Sequence, residues 1–370
     1  MPLKILIAPD KFKGTLTAQQ AAEAIARGWR GARPQDELEL LPMSDGGDGF
    51  GEIISDLLGA APQMVKTVDA AHRALEAVWW WHEGSRTAIV ESANVIGLAM
   101  LPRGKYHPFE LDTYGLGAAL RAAAERGAKR CLVGIGGSAT NDGGFGLARA
   151  LGWQFFNTHE KDITRWTELH GLAAVRPPEC TRLFEELTVA VDVQNPLLGP
   201  SGCSRIYGPQ KGLKELEFAE RCLGQLAAVL EKNLRLSYAD SPGAGAAGGL
   251  GFGLMSFLGA HAEPGIGIFE RHARLADRVK TAALVITGEG ALDAQTLMGK
   301  GVGEIANVCQ RLAVPCIGMA GVVPEPEKAT RKFKAAYALT PDTTDKESAL
   351  GEPELWLERL ATKVASDWKE

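Results

Sequence analysis

The chain has 370 residues, 45% of them hydrophobic and 23% charged, with a formal net charge of −5. That length exceeds what one hydrophobic core ordinarily supports, so more than one domain is expected. The weak negative charge excludes the basic footprint of a nucleic-acid binder, and an anionic ligand would have to be held by local donors.

No apolar run approaches the roughly 18 residues of a membrane span. The start, "MPLKILIAPDKFKG", turns charged too soon for a signal peptide. A cytoplasmic protein with no membrane or nucleic-acid partner is therefore expected. The six cysteines lack C-x-x-C spacing and read as reduced thiols, without a zinc site or disulfide frame. The seven histidines show no metal-binding spacing.

In chain order, "LKILIA" (3–8) is a continuous apolar run, the mark of a strand buried on both faces. Thr17 and Gln20 form a capping-box pattern that opens a helix. Ala22, Ile25, Ala26 and Trp29 share one face of it, and Gly31 and Pro34 end it. "ELELL" (37–41) reads as the next strand. "QMVKTVDA", "LEAVWWWHEG" and "TAIVESANVIGL" then read as an antiparallel meander, with the three tryptophans at 79–81 packing rather than stacking a base. A helix at 114–127 and a strand at 131–137 follow, and the polar stretch 157–180 has no assignable pattern. Near the C-terminus, strands at 283–290, 315–321 and 335–340 accompany helices at 302–312 and 353–367. This order implies an α/β fold of two domains. One is a parallel sheet built from both chain termini (1–60 plus 270–370), and the other is an inserted mixed-sheet α/β domain (61–269) with glycine-rich loops. A cleft between such domains is a common ligand site.

The chemistry-bearing residues gather in loops after strands. "GIGGSATNDGG" (134–144) puts Gly136, Gly137, Ser138, Thr140 and Asn141 before a helix, where backbone amides can cradle an anion. A tight strand-to-helix turn is the alternative. "PMSDGGDGF" supplies Asp45 and Asp48 as a base or Mg²⁺ ligands, with helix capping expected for Asp48. "PDKFKG" offers Asp10, Lys11 and Lys13, whose lysines either hold phosphate or carboxylate or are solvated. "VAVDVQNPLLGPSG" leads into Asp192 and Asn195, "GPQKG" adds Lys211, and "PGAGAAGGLGFG" (242–253) suits either close helix packing or ligand approach. The densest constellation is "TGEGALDAQTLMGKG" (287–301), with Glu289, Asp293, Gln295, Thr296 and Lys300. Two acids with a lysine suit a metal-bridged phosphate. There is no G-x-S-x-G elbow and no P-loop spacing.

Taken together, "IAPDKFKGTLTAQQAAEAI", "PMSDGGDG", "GIGGSATNDGG", "VDVQNPLLGPSG", "YGPQKG", "PGAGAAGGLG" and "ITGEGALDAQT" resemble the glycerate kinase type 1 family, in order and over nearly the whole chain. The resemblance implies ATP- and Mg²⁺-dependent phosphorylation of D-glycerate, commonly at the 2-hydroxyl. It also implies a discontinuous Rossmann- or flavodoxin-like domain with an inserted α/β domain. The family pattern is departed from at Lys11 (usually serine), at Asp48 and Phe50, at Ala291 (usually arginine) and at Val302 (usually proline).

On this reading Asp192 is the base, with Asp45 second. Lys300 acts on the transferring group, and Glu289 with Asp293 holds Mg²⁺. Lys13, Gly136, Gly137, Ser138, Thr140, Asn141, Asn195, Lys211 and Gln295 contact phosphate or the substrate carboxylate. The partners expected are ATP and glycerate, and a homodimer is left open. The alternatives are a kinase for another small hydroxy or sugar acid, or a non-catalytic anion sensor.

Overall fold

The computed structural model describes residues 2–297 and 301–368. Its strands are β1 (Lys4–Ile7), β2 (Glu37–Leu40), β3 (Ala61–Val68), β4 (Ala74–His82), β5 (Thr87–Glu91), β6 (Arg130–Gly134) and β7 (Gln154–Asn157). They continue with β8 (Leu172–Arg176), β9 (Glu186–Ala190), β10 (His261–Glu263), β11 (Leu284–Ala291), β12 (Cys316–Val322) and β13 (Ala335–Thr340). The chain divides into two compact units, Met1–Asp45 with Ile266–Glu370, and Gly46–Gly265. The helix Phe50–Leu58 thus falls in the second unit, although it follows β2 in sequence. No helix among the described residues is long and apolar enough to cross a membrane.

The first unit is a five-stranded parallel sheet in the order β13-β12-β11-β1-β2. Its interior strand β1, between β11 and β2, explains the opening apolar run, because Ile5, Leu6 and Ile7 are each fully buried and a parallel sheet is covered on both faces. The helix Ala18–Ala32 begins at the expected capping box. Thr17 Oγ1 accepts from the Gln20 amide at 3.1 Å, and Gln20 Oε1 accepts from the Thr17 amide at 2.9 Å. Its apolar face (Ala22, Ile25, Ala26, Trp29) packs with Leu357, Leu360 and Val364 of the helix Pro353–Asp367.

The second unit holds a six-stranded mixed sheet in the order β10-β9-β6-β5-β4-β3. β3, β4 and β5 pair antiparallel, as the meander pattern predicts, and β5, β6, β9 and β10 run parallel. Successive residues of a strand face opposite sides of the sheet, yet Trp79, Trp80 and Trp81 are all buried. Both faces of β4 are therefore covered there, and the tryptophans pack. The stretch without a sequence pattern carries most of the hairpin β7–β8, followed in chain order by Pro177 and Pro178.

Asp36 shows how tightly the start of the first unit is tied. Its buried carboxylate accepts from the Leu3 amide at 3.0 Å, Trp29 Nε1 at 3.0 Å and Arg33 Nε at 2.7 Å. Burial opposes the charge, but these three donors outweigh it and hold the pKa below the usual 3.8. A depressed carboxylate pKa gives stability that is present above pH 4 and lost as pH falls below it. Asp36→Ala would leave buried donors unmatched, so denaturant unfolding at pH 7 is expected to show a loss of about 2–4 kcal/mol. The difference from wild type is expected to shrink toward pH 3.

Candidate active site

In open parallel sheets the loops at the carboxyl ends of the strands collect ligands. In the first unit three neighbouring strands deliver acids there. Asp10 follows β1, Asp45 follows β2, and Glu289 lies near the end of β11. Asp10 is buried, and its Oδ1 accepts from the Lys11 amide at 2.7 Å. Burial first, and then the neighbouring Asp45 charge, raise its pKa to about 7 against the pull of Lys11. Glu289 Oε1 accepts from Thr296 Oγ1 at 2.6 Å. Burial raises Glu289 to about 7, with Asp10, Asp293 and Asp45 adding repulsion and the Thr296 hydroxyl opposing it. The Lys11 ammonium sits 3.7 Å from Asp45. Asp293 is exposed and accepts from the Thr296 amide at 3.3 Å. Lys13 is exposed, and its amide nitrogen lies 3.4 Å from where a Cβ on Gly290 would stand, so it belongs to the same end of the sheet. Gln295 belongs to the short helix Ala294–Leu297, and Lys300 lies outside the described residues.

In the second unit the loop after β6 answers to glycine for a steric reason. A Cβ on Gly136 would stand 2.5 Å from the Gly47 Cα, so the loops 46–49 and 136–137 meet backbone to backbone. Gly137 is exposed, whereas Ser138, Thr140 and Asn141 are buried. Ser138 Oγ bonds Thr140 Oγ1 at 2.9 Å, and Asn141 Nδ2 donates to Ser204 Oγ at 2.9 Å. These side chains build the turn, which leaves its glycines as the accessible part. The strongest internal tie is Asp142, absent from the residues singled out above. Its fully buried carboxylate accepts from Thr113 N and Oγ1, Gly144 N and Gly146 N at 2.8–3.3 Å. Burial raises its pKa to about 6, and Asp112 adds to the rise.

Asp192 follows the neighbouring strand β9 and is half-buried, with Oδ1 accepting from Gly265 N at 3.2 Å. Asn195 is occupied internally: Nδ2 donates to Ser201 O at 2.8 Å, and Oδ1 accepts from Tyr207 OH at 2.7 Å. Lys211 is buried, and its ammonium donates to the Thr140 carbonyl at 2.6 Å. Helix capping by Asp48 is not what the structure has. The N-cap is Gly49, with no side-chain cap bond, and Glu91 at the end of β5 accepts from Gly49 N and Gly51 N at 2.8 Å each. A carboxylate forty residues away in sequence replaces the local one.

Comparison with known proteins decides the family. The glycerate kinase family matches residues 5–369. The chain belongs to the glycerate kinase family. A glycerate kinase of Halalkalibacterium halodurans is 36% identical, covering 99% of each chain. A glycerate 2-kinase of Escherichia coli K12 is 37% identical over 86% of this chain and 85% of its own. A crystal structure from Salmonella typhimurium LT2, assigned provisionally as glycerate kinase 2, is 32% identical with a TM-score of 0.82, covering 98% of this chain and 97% of that one. The chain is accordingly a kinase with a hydroxyl acceptor. The α/β class with one parallel and one mixed sheet agrees with the expectation.

Two departures from the family pattern acquire positions in this kinase. Ala291 ends β11 opposite Val322 of β12, and Lys11 pairs with Asp45 in the acid cluster. Among the described residues no group of three or more His, Cys, Asp or Glu side chains could by itself hold a metal ion.

The raised carboxyl pKa values fix a sign. Asp10 and Glu289 hold protons in the folded chain up to about pH 7 that the unfolded chain releases near pH 4. In metal-free buffer, stability is therefore expected to fall as pH rises from about 4 to 7. Asp10→Asn, which removes the buried charge, is expected to flatten this slope and to gain about 1–3 kcal/mol at pH 7.5 in urea unfolding.

Proposed function

We propose that this kinase transfers the γ-phosphoryl of ATP to the 2-hydroxyl of D-glycerate, giving 2-phosphoglycerate and ADP. The observation that carries the reading is the acid cluster at the ends of β11, β1 and β2, on a chain matching the family along its whole length. The relative named glycerate 2-kinase supports the 2-position.

Asp10 and Glu289 repel each other's charge, and a divalent cation beside them would relieve that repulsion, so hard oxygen donors here fit Mg²⁺. Mg²⁺ is commonly held by one or two carboxylates plus nucleotide phosphates, which is compatible with the lack of a closed protein site. Glu289 and Asp10 would hold it, with Asp45 and Asp293 nearby, and bound there it would neutralise phosphate charge. Lys13 and, on sequence grounds, Lys300 add positive charge for the phosphoryl group. The glycine turn 136–137 receives phosphate or the substrate carboxylate through its amides. Asp192 accepts the proton of the attacking hydroxyl as the new O–P bond forms and ADP leaves. A loose transition state asks for placement more than for a strong base. A second reading, a kinase for another small hydroxy acid, draws on Ala291 standing where the family has arginine.

The test is turnover of D-glycerate with Mg-ATP, with ³¹P NMR of the product locating the new ester. Excess chelator is expected to abolish turnover, and full activity without divalent metal would end the Mg²⁺ assignment. Asp192→Asn is expected to lower kcat by roughly 10²–10⁴-fold with the fold and ATP affinity kept. Retained kcat would pass the role to Asp45. For Lys13→Met, loss of a charge-assisted bond of about 1.5–3 kcal/mol predicts a fall in kcat/KM of tenfold or more.

A further inference from the structure

Two buried charges tie down the loop 138–144. Asp142, within it, gathers two donors from Thr113 and two from Gly144 and Gly146. Lys211 reaches across 71 positions of sequence to put its ammonium 2.6 Å from the Thr140 carbonyl. The helix Ala246–Leu258 closes over the same carbonyl. A Cβ on Gly248 would stand 1.9 Å from Thr140 O, so a backbone sits where a side chain would. Next in the chain, Asn141 is wholly buried, and its Oδ1 has no hydrogen-bond partner. An unmatched buried acceptor costs roughly 1–3 kcal/mol, so bonds that reach the turn from outside matter to its stability.

We propose that Lys211 is a positioning residue for phosphoryl transfer: its buried ammonium, seated on the Thr140 carbonyl, holds the turn in the form that presents Gly136 and Gly137 to the ligand. This rests on the kinase reading above, and it assigns Lys211 to the back of the loop rather than to the phosphate. The groups facing the ammonium are Asp142 of the loop and Cys203 of the helix Cys203–Tyr207, and Glu220 of the helix Leu216–Leu234 faces Cys203. Burial pushes the Cys203 thiol up to about 12, so it stays neutral. The helix Ala246–Leu258 carries no titratable side chain. Burial lowers the Lys211 pKa from 10.5 to about 8, with Cys203 and Asp142 opposing the fall. The ammonium therefore discharges on the alkaline side of neutrality, and its charge-assisted bond weakens to a neutral one. Folding stability moves the other way. The folded chain binds fewer protons than the unfolded one between pH 8 and 10.5, so stability contributed by Lys211 rises with pH there. A residue that served stability alone would not lower activity across that window.

The experiment compares wild type with Lys211→Met by turnover with Mg-ATP and D-glycerate from pH 6.5 to 10, and by hydrogen exchange of the Gly144 and Gly146 amides. The expected wild-type kcat falls at least tenfold through an alkaline limb near pH 8. In Lys211→Met, kcat at pH 7 is expected to drop between tenfold and about a hundredfold, as for a misplaced site, with that limb gone. The loop amides are expected to exchange at least tenfold faster, while those of β6 hold. A variant that keeps kcat within twofold, or raises the KM for ATP with unchanged loop exchange, overturns the proposal. If Lys211→Met does not fold, wild type alone decides. Protection of the Gly144 and Gly146 amides relative to β6 is expected to fall between pH 7 and 9.5, and constant relative protection overturns the proposal. A wild type without turnover would refute the kinase reading, while the exchange arm still reports whether Lys211 holds the loop.

Discussion

Backbone lying directly against backbone is the constraint on which the second unit's ligand loops depend. Where the loops 46–49 and 136–137 touch, and where the helix Ala246–Leu258 covers the Thr140 carbonyl, no side chain fits between the strands of main chain. Such contacts gain little from hydrophobic burial, because they bring few apolar atoms together. They hold best where the polar groups nearby are matched by bonds from elsewhere. That requirement explains why Asp142, Lys211, Ser204 and Glu91 are buried polar side chains whose partners lie far off in sequence.

The first unit solves the opposite problem. Its sheet is ordinary, with apolar inner strands under the apolar faces of helices, and the unusual energy is concentrated at the carboxyl ends of β11, β1 and β2. Asp10, Asp45 and Glu289 come from three adjacent strands whose ends converge, and the resulting repulsion is only partly offset by Lys11. Charge crowding of this kind costs stability, and a bound cation is the usual thing that returns it.

Much of this could be read in advance because the physics is local. A buried parallel strand is a continuous apolar run, so 3–8 stands out. The half-buried edge strands at 37–41 and 335–340 still carry regularly placed apolar residues, and the capping box at Thr17 and Gln20 marks a helix start. What escaped depended on distant partners. The sequence places Asp10 after the first strand, but only the strand order, with β1 between β2 and β11, brings it beside Asp45 and Glu289. Asp48 seemed the natural cap for its helix, since nothing in the local sequence announces that Glu91 does the work. The hairpin β7–β8 carries no pattern in the sequence because its second strand is only partly buried and therefore lacks clean alternation. Lys211 was legible as a lysine in a glycine-rich loop, but no local pattern says which side of that loop it occupies.

The position of β1 in its sheet bears on how the protein is made. As the chain leaves the ribosome, β1 can pair with β2 at once, because only the helix Ala18–Ala32 separates them. Its other edge belongs to β11, which begins at Leu284. The whole of Gly46–Gly265 is synthesised in between. For that interval the N-terminal segment carries an apolar strand with one row of unpaired amides and carbonyls, the sort of edge that invites misassociation. The inserted unit, by contrast, has all its strands in hand before β11 is translated. Nascent chains halted before residue 284 should therefore contain a finished second unit beside an incomplete first one, and the need for a chaperone should peak there.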